Sequence, residues 1–508
     1  MGKRQIVNII NFIRDIEPRM EMDLVTPVLE QIRLLKQYNL KGTFLLQYDA
    51  LIDPVYTDLL KALDPNQFEI GVWFETVQPL VEKAGAVWRG RYPWDWHSHC
   101  GFSVGYTRDE REKLIDIFFT EFNEIFDYYP KSFGSWAFDT YTLEYASDKY
   151  GLDAACNCKD QWGTDGYTLW GGYYGQAYYP SRLNVFAPSQ TEDNQIATPL
   201  FRMLGSDPIY QYDCGLDISA GLAAAQGVIT LEPVYTGKSG GGGEKHWVDW
   251  YLSENFNGKC LSFGYTQAGQ ENSFGWKAMK NGLEYQFKKI AEMQADGLIE
   301  AETMGESGRW YKNEYKTTPP SAITALTDWK NTGKKSIWYS CKNYRLNLYS
   351  ENNELWIRDI HLFRDSYVDR YLNDTCKGND MVYDNLPIID GNRFSGNGIR
   401  SGIWFERNGE KIKCTDLIYN EAENNAEITC GDIKITLTES GIKVDGDAEI
   451  TLKPYFDDRI SKWLDAEING SKIDFIYSGF KYAVTTDGAK ISDDFSLNGK
   501  NMAINFNI

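Results

Sequence analysis

Short apolar runs alternate with helical periodicity over the first 310 residues of the chain. The run Gln5–Ile13 is mostly apolar and predicts a buried strand. The next apolar positions recur at the spacing of a helix, at Leu24, Val28, Ile32 and Leu35. Further strands are predicted by the same criterion at Thr43–Leu46, Phe68–Phe74, Phe133–Phe138, Leu152–Cys156, Leu200–Leu204, Gly227–Leu231 and Cys260–Tyr265.

The order of these elements predicts a parallel sheet. Thr107, with Glu110 three residues later, has the pattern of a capping box and predicts the start of a helix. Strand, helix and strand in succession imply parallel strands that are joined by right-handed crossovers. The chain holds seven or eight such units, so we expect the sheet to close into a parallel (β/α) barrel.

The pattern changes after the linker at Thr317–Pro320. Apolar residues then alternate with polar ones, as at Ile433, Ile435 and Leu437, which is typical of strands with one buried face. We expect this part to be an antiparallel β-sandwich. The predicted α/β protein therefore has a barrel domain over residues 1–316 and a sandwich domain over residues 321–508.

The net charge argues against two classes of partner, and the lack of targeting segments predicts the location of the protein. The chain has 508 residues, with 52 Lys and Arg against 72 Asp and Glu, which gives a net charge of −20. Such a field repels phosphate backbones and anionic lipid surfaces, so we expect neither nucleic acid nor membranes as partners. No signal peptide and no long apolar span is apparent, which predicts a cytoplasmic protein with reduced cysteines.

Aromatic residues make up 15% of the chain, and many of them lie in glycine-rich segments. Aromatic rings beside carboxylates suit a carbohydrate partner, because sugars present apolar ring faces and many hydroxyl groups. The segment 161–182 is too rich in glycine for a helix and too aromatic for a simple linker. We expect Trp162, Asp165 and Trp170 to form part of a sugar-binding wall there, with a packed structural loop as the alternative.

Carboxylates recur where the predicted strands end. In a parallel barrel the active site lies at the carboxyl ends of the strands, so these acids are candidates for it. Glycoside hydrolysis uses two acids that flank one bond. The alternative is that these acids are solvated loop residues or helix caps. The candidates are Asp15, Glu17, Glu75, Asp139, Asp207, Asp213 and Glu271.

Other chemistries have less support. The chain has four histidines and contains neither a G-x-S-x-G nor an H-E-x-x-H motif. A phosphate-binding loop at Gly237–Ser239 fails because its first glycine position holds Glu232. His97 and His99 could bind a metal ion together with Asp15, or could be loop histidines that contact a sugar.

Several short motifs resemble the glycoside hydrolase/deacetylase superfamily. Acids follow the first strand, and Lys41–Phe44 and Phe68–Gly71 are similar to the opening of the polysaccharide deacetylases. The resemblance implies a seven-stranded barrel. In deacetylases the last glycine introduces two metal-binding histidines, whose positions here are Trp73 and Val77, so we expect no metal and no other cofactor.

Two later motifs are similar to the glycosidase branches of the superfamily, families thirty-eight and fifty-seven, and the whole chain resembles uncharacterised gut-bacterial members. Gly134–Asp139 resembles the strand whose terminal acid is the nucleophile, and Gln270–Trp276 resembles the segment near the general acid. The family fifty-seven acid is an aspartate two positions earlier, where this chain has Gly269. The resemblance therefore implies Asp139 as nucleophile and Glu271 as acid/base.

The hypothesis from the sequence is a retaining glycoside hydrolase that acts on an oligosaccharide or polysaccharide. A metal-dependent carbohydrate deacetylase and a non-catalytic sugar-binding protein are the alternatives. Asp207 or Asp213 could replace Glu271 as the acid. The residues expected to bind substrate are Asp15, Glu17, Trp73, Glu75, His97, His99, Trp136, Trp162, Asp165, Trp170, Asp207 and Asp213.

Overall fold

A nine-stranded sheet, in which eight strands run parallel, forms the centre of the first part of the chain. The computed structural model describes residues 2–158, 172–218, 228–382, 384–457, 459 and 465–506, and the backbone of 161–162, 166–167 and 222–223. The strands of this part are β1 (Gln5–Ile13), β2 (Gly42–Leu46), β3 (Phe68–Trp73), β4 (Ser132–Ser135), β5 (Ala154–Asn157), β6 (Gln161–Trp162), β7 (Gly166–Tyr167), β8 (Ala177–Tyr178), β9 (Leu200–Arg202), β10 (Leu216–Asp217), β11 (Leu222–Ala223), β12 (Gly264–Ala268) and β13 (Glu300–Glu302).

Helices connect the parallel strands. They are α1 (Val25–Tyr38), α2 (Tyr48–Leu51), α3 (Pro54–Lys61), α4 (Gln78–Lys83), α5 (Ser98–Gly101), α6 (Arg108–Phe126), α7 (Thr140–Tyr150), α8 (Lys245–Asn255), α9 (Trp276–Ala295) and α10 (Met304–Glu314). The predicted capping box is confirmed: Thr107 accepts from the backbone N–H of Glu110, whose side chain accepts from Thr107. No helix within the described residues is long and apolar enough to cross a membrane.

The sheet runs in the order β12-β1-β2-β3-β4-β5-β9, and β8 pairs antiparallel with β9. Strand β1 pairs in parallel with β12, β13 and β2. Every residue of β1 but Gln5 is buried, because helices cover one face of the sheet and the interior covers the other. Within the described residues, no ladder joins β9 to β12. The parallel α/β prediction is therefore confirmed, whereas closure into a complete barrel is not.

Some predicted strand boundaries were wrong. The strand predicted at Phe133–Phe138 ends at Ser135, and the one predicted at Cys260–Tyr265 lies instead at Gly264–Ala268. Residues 228–231 form only an isolated bridge, between Thr230 and Ser206. Apolar content alone could not separate these strands from the buried loops beside them, since both contribute to the same core.

The second part of the chain is antiparallel, as predicted, and its sixteen strands connect into one extensive sheet. The sandwich architecture is not confirmed. The strands are β14 (Ser321–Ala325), β15 (Lys335–Ser340), β16 (Tyr344–Glu351), β17 (Glu354–Leu362), β18 (Leu386–Asp390), β19 (Gly402–Arg407), β20 (Glu410–Lys411), β21 (Leu417–Ala422), β22 (Asn425–Cys430), β23 (Ile433–Thr438), β24 (Gly441–Tyr455), β25 (Asp465–Asn469), β26 (Lys472–Tyr477), β27 (Phe480–Asp487), β28 (Lys490–Ile491) and β29 (Leu497–Asn505).

Hydrogen bonds connect the second part to the loops of the first. The backbone N–H of Cys376 donates to Val104 O at 2.7 Å, and that of Ser98 donates to Asn379 O at 2.7 Å. The loop of the second part that carries Cys376 and Asn379 thereby supports the segment 97–106 of the first.

The cysteines differ from the expectation of reduced thiols in one respect, because Cys414 and Cys430 form a disulfide.

Candidate active site

The carboxyl ends of β1, β3 and β12 bring three charged side chains together. Arg14 follows β1 directly, Glu75 lies two residues after β3, and Glu271 lies three residues after β12. Gly269 makes the turn after β12, with φ of 101°, and a Cβ there would lie 2.2 Å from Ile10 O. Only glycine suits this position, because it combines a left-handed conformation with a close backbone approach.

Arg14 lies between the two glutamates. Its Nη2 atom is 3.1 Å from Glu75 Oε2 and 3.2 Å from Glu271 Oε2, and its guanidinium carbon is 4.1 Å from the centre of the Trp94 ring. Burial would lower the pKa of Arg14, but the charges of Glu271 and Glu75 outweigh it and raise the pKa. The arginine is therefore a permanent positive charge between two buried acids.

Glu75 is completely enclosed. Its Oε2 atom accepts hydrogen bonds from Gln47 Nε2 at 2.8 Å and from Trp94 Nε1 at 3.0 Å. Burial raises the pKa of Glu75 to about 7, with the charge of Glu271 adding to the effect and Arg14 opposing it. Glu75 can therefore change its charge near neutral pH without contacting solvent.

Glu271 is 4% exposed and lines a cavity. Ser273 Oγ donates a hydrogen bond to its Oε1 atom. Its Oε2 atom accepts no hydrogen bond from any residue that the structure describes, although Arg14 lies beside it. Asn272 fixes the segment to the end of β1, accepting from Arg14 N at 3.0 Å and donating to Arg14 O at 2.7 Å. Glu271 therefore lines the cavity with one carboxylate oxygen hydrogen-bonded to Ser273 and the other buried beside Arg14.

The cavity has a volume of about 300 Å³. Its floor consists of buried residues, and its rim consists of partly exposed residues from the loop after β1 together with Phe274. The floor residues are Arg14, Trp94, Phe102, Trp136, Glu271 and Ser273, and the rim residues are Glu17, Arg19, Met20, Met22 and Phe274. Aromatic rings and charged groups thus face the same small volume, which is the mixture expected of a sugar site.

Glu17 is the second carboxylate that lines the cavity. Arg19 donates from Nε to Glu17 Oε1 at 2.8 Å and from Nη2 to Oε2 at 2.7 Å, and it covers Glu17 so that the side chain is 2% exposed. Burial raises the pKa of Glu17, but the hydrogen bonds from Arg19 outweigh it and hold the pKa below its usual range.

Asp139 does not line the cavity. It caps α7, accepting from Thr142 N at 3.0 Å, and it pairs with Arg111 Nη1 at 2.7 Å. Ser103 Oγ and Thr142 Oγ1 donate to its other oxygen at 2.6 and 2.7 Å. Both carboxylate oxygens of Asp139 accept hydrogen bonds from the protein, and the residue is fully buried. The expected pairing of Asp139 with Glu271 across the cavity is therefore not found.

Asp207 and Asp213 also lie away from the cavity. Asp207 accepts from the indole N–H groups of Trp247 and Trp329 at 2.8 and 3.1 Å, and burial raises its pKa. Asp213 pairs with Arg358 and Arg400 of the second part; these arginines outweigh burial and lower its pKa. Neither aspartate is positioned to replace Glu271 as the acid.

The structure does not bring Asp15, His97 and His99 together as a group of metal ligands. Within the described residues, the group of three side chains close enough to share an ion is Asp359, His361 and Asp390. Arginines already bind both of those aspartates, through Arg345 to Asp359 and Arg393 to Asp390. Trp73 and Val77, at the deacetylase histidine positions, are buried apolar residues, so this chain does not fit the metal of that family.

The predicted aromatic residues have different locations. Trp73 packs in the core, with its ring centre 3.9 Å from that of Phe12, whereas Trp136 is 5% exposed and lines the cavity. Trp162, Asp165 and Trp170 lie outside the residues whose side chains are described. Arg14 and Trp94 were not predicted as site residues from the sequence, although an arginine directly after an apolar strand was a usable signal.

No protein-family model and no curated protein matches the chain. A crystal structure from Parabacteroides distasonis, described provisionally as a glycoside hydrolase/deacetylase, matches with a TM-score of 0.53 and 16% identity, over 74% of this chain and 88% of that one. A provisionally assigned polysaccharide deacetylase from Mycobacterium smegmatis matches with a TM-score of 0.37 and 12% identity, over 62% of this chain and 92% of that one.

A GH57-type branching enzyme from Pyrococcus horikoshii matches with a TM-score of 0.34 and 9% identity, over 62% of this chain and 70% of that one. The two lower scores carry no argument, and the first match shows a shared fold. The predicted resemblance to the glycoside hydrolase/deacetylase superfamily is thereby confirmed at the level of the fold.

Proposed function

We propose that the protein is a carbohydrate-active enzyme that hydrolyses glycosidic bonds in the cavity at the ends of β1 and β12. One observation carries the proposal: Glu271, one of whose carboxylate oxygens accepts no hydrogen bond from the described residues, lines the same cavity as the Trp136 ring. A carboxylate beside an apolar ring face suits the attack on a sugar that is stacked on that ring. The positions of Glu271 and Glu17 in the cavity are the basis for the catalytic roles that we propose for them.

Glu271, on the floor, is the nucleophile in this proposal. Its carboxylate attacks the anomeric carbon while the glycosidic C–O bond breaks, and Arg14 orients the carboxylate through the ion pair. This differs from the role implied by the sequence resemblance, and it is supported by the position of Asp139, which is not among the residues that line the cavity and which pairs with Arg111.

Glu17, on the rim, is the acid/base. The leaving group departs towards the rim, so Glu17 donates a proton to its oxygen and later removes a proton from the water that releases the sugar. Arg19 holds Glu17 charged in the free protein. We therefore propose that the incoming sugar displaces Arg19, which is the more exposed of the two side chains.

Retention of the anomeric configuration is the stereochemical outcome that we propose. Both carboxylates face one cavity of about 300 Å³ and come from loops after neighbouring strands. Carboxylates roughly 5–5.5 Å apart act by double displacement, whereas inverting enzymes separate them by roughly 6.5–9.5 Å to admit water. A small shared cavity favours the shorter separation.

The substrate class and the domain division are also part of the proposal. We propose an oligosaccharide or polysaccharide as the substrate, and the division into residues 1–316 and 321–508 as two domains. The second part supports the segment 97–106, which supplies Phe102 to the cavity floor.

Purified protein and a panel of 4-nitrophenyl glycosides test the proposal. We expect release of 4-nitrophenol from at least one glycoside, and proton NMR should show that the first sugar formed has the anomeric configuration of the substrate. Inversion would move Glu271 to the role of a base. Saturable sugar binding without any turnover would instead support a binding protein, and chelator-sensitive release of acetate from acetylated sugars would support a deacetylase.

A further inference from the structure

We infer that the cavity accepts a single terminal sugar, so that the enzyme shortens carbohydrate chains from one end. The inference rests on the proposed function and adds the mode of action to it. Three properties of the cavity carry it: a floor of packed buried side chains, exposed lining residues that belong to one loop, and a small volume.

The floor is closed by large buried side chains. Trp136 packs edge-on against Phe12 and Trp73, with ring centres 5.2 and 5.5 Å apart and the rings nearly perpendicular. Arg14 lies on the Trp94 ring and is fixed by two ion pairs. A sugar chain cannot continue through this layer without moving several packed rings, since protein interiors are close-packed.

The opening is on the side of the loop after β1. Among the lining residues, the two that are exposed are Arg19 and Met20, and Met20 is 62% exposed. A site for internal cleavage needs openings on two sides, so that a chain can enter and leave. The two exposed lining residues both belong to one loop, which favours a single entrance on that side.

The volume is suited to one ring. Ligand cavities span roughly 300–1,000 Å³, and this one is at the lower limit with about 300 Å³. Glu271 belongs to the floor, and Glu17 lies under Arg19 on the loop that carries the exposed lining residues, so we expect a ring that fills the cavity to place its anomeric carbon between the two carboxylates. The scissile bond is then the one that joins the terminal sugar to the rest of the chain.

The rest of the chain would leave over an apolar edge. Arg19 connects the rim to Trp96, with the guanidinium carbon 5.6 Å from the ring centre, and Trp96 stacks on Tyr92 at 6.2 Å. Tyr92 is 43% exposed and Met20 is flexible, so this edge can contact different leaving groups without specifying one. We therefore expect selectivity for the terminal sugar and tolerance of different sugar units beyond it.

Chain-length dependence tests the inference. Calorimetry with Glu271→Gln measures the affinity for the free sugar of a hydrolysed 4-nitrophenyl glycoside and for its oligomers of two to six units. We expect less than a threefold change beyond two units. An increase of fivefold or more with each added unit would show an extended cleft and overturn the inference.

Products and a rim variant complete the test. Wild-type protein should release the monosaccharide first and leave a dyed, cross-linked polysaccharide undissolved, whereas dissolved dye or longer first products would contradict action from the end. Met20→Ala should raise the KM for disaccharides severalfold, by a clearly larger factor than that by which it weakens monosaccharide affinity. Val55→Ala, on α3 and similarly exposed, is the matched control and should change neither.

The failure of the proposed function is distinguishable from the failure of this inference. If wild-type protein hydrolyses no glycoside, the proposed hydrolase is wrong. In that case the monosaccharides of the panel and their oligomers are titrated into the wild-type protein. An affinity that does not increase with chain length would still support a cavity for a single terminal sugar.

Discussion

Arg14 Nη2 lies 3.2 Å from Glu271 Oε2, at the floor of a cavity and with both side chains almost fully buried. Removing two charges from water is costly unless they are paired in good geometry, and breaking such a pair costs several kcal/mol. The pair is therefore a constraint on the site as well as a source of charge. It fixes the orientation of the carboxylate that we propose as nucleophile.

Replacing Arg14 with lysine tests this constraint. A lysine ammonium keeps the charge, but it cannot present the planar fork with which the guanidinium reaches two carboxylates and stacks on Trp94. We expect kcat to fall roughly 10–100-fold, the effect of misplacing a reacting group by a fraction of an ångström. Unchanged kcat with a normal KM would show that the arginine does not position Glu271.

Glu75 should make stability depend on pH. Its folded-state pKa is about 7 against an ordinary value of 4.5, so the folded protein holds a proton that the unfolded chain releases. This stabilisation is complete below pH 4.5 and is lost as pH rises to about 7. Urea unfolding between pH 5 and 7 should show that the free energy of unfolding declines less steeply with pH in Glu75→Gln than in wild-type protein. The difference in slope should be about 1.4 kcal/mol per pH unit.

Glu82→Gln is the control for this experiment. Glu82 is exposed on α4, and its substitution should leave the pH dependence of wild-type protein intact. Asp49 also has a pKa raised to about 7, mainly by burial, so some decline remains in Glu75→Gln. Equal pH dependence in Glu75→Gln and wild-type protein would contradict the assignment.

Arg19 should control the alkaline limit of activity. If Glu17 must be protonated to act, kcat/KM declines as pH rises through the pKa of Glu17 in the free enzyme. The bonds from Arg19 lower that pKa, so Arg19→Ala should move the alkaline limb of the kcat/KM profile to higher pH. A shift towards lower pH would show that Glu17 is not the acid.

The fold was largely predictable from the sequence because buried parallel strands are continuous apolar runs. Strand β1 was predicted with its observed limits, and β2 and β3 were predicted within one residue. Closure of the sheet was not predictable, because periodicity describes single elements and not the pairing between distant strands.

The site was predictable only in part. Glu17, Glu271 and Trp136 were candidates and line the cavity, whereas Asp139 has a structural role. An acid after a strand is the signal both for a catalytic residue and for a helix cap, and Asp139 precedes α7 directly. Asp139 is distinguished from a catalytic acid by its ion pair with Arg111, which lies on α6. No local sequence pattern reveals this contact between distant elements.

Trp136 should contribute to binding more than to folding. Trp136→Ala removes the ring that lines the cavity floor, so sugar affinity should weaken by about 1–3 kcal/mol, the scale of one aromatic contact. Calorimetry measures the affinity, and thermal unfolding shows whether the fold survives. Trp73→Ala is the comparison, since that ring lies wholly in the core and its loss should mainly destabilise the protein.

The most direct test compares Glu271→Gln with Asp139→Asn on the same 4-nitrophenyl glycoside. Asp139→Asn breaks a buried pair with Arg111 and should lower stability by about 3 kcal/mol, while the folded fraction keeps a kcat within tenfold of wild type. Glu271→Gln should fold, bind the sugar and lose at least about 10³-fold in kcat, as expected when the charge of the nucleophile is removed. The opposite result, with Asp139→Asn folded but inactive and Glu271→Gln active, would contradict the account and return the nucleophile to Asp139.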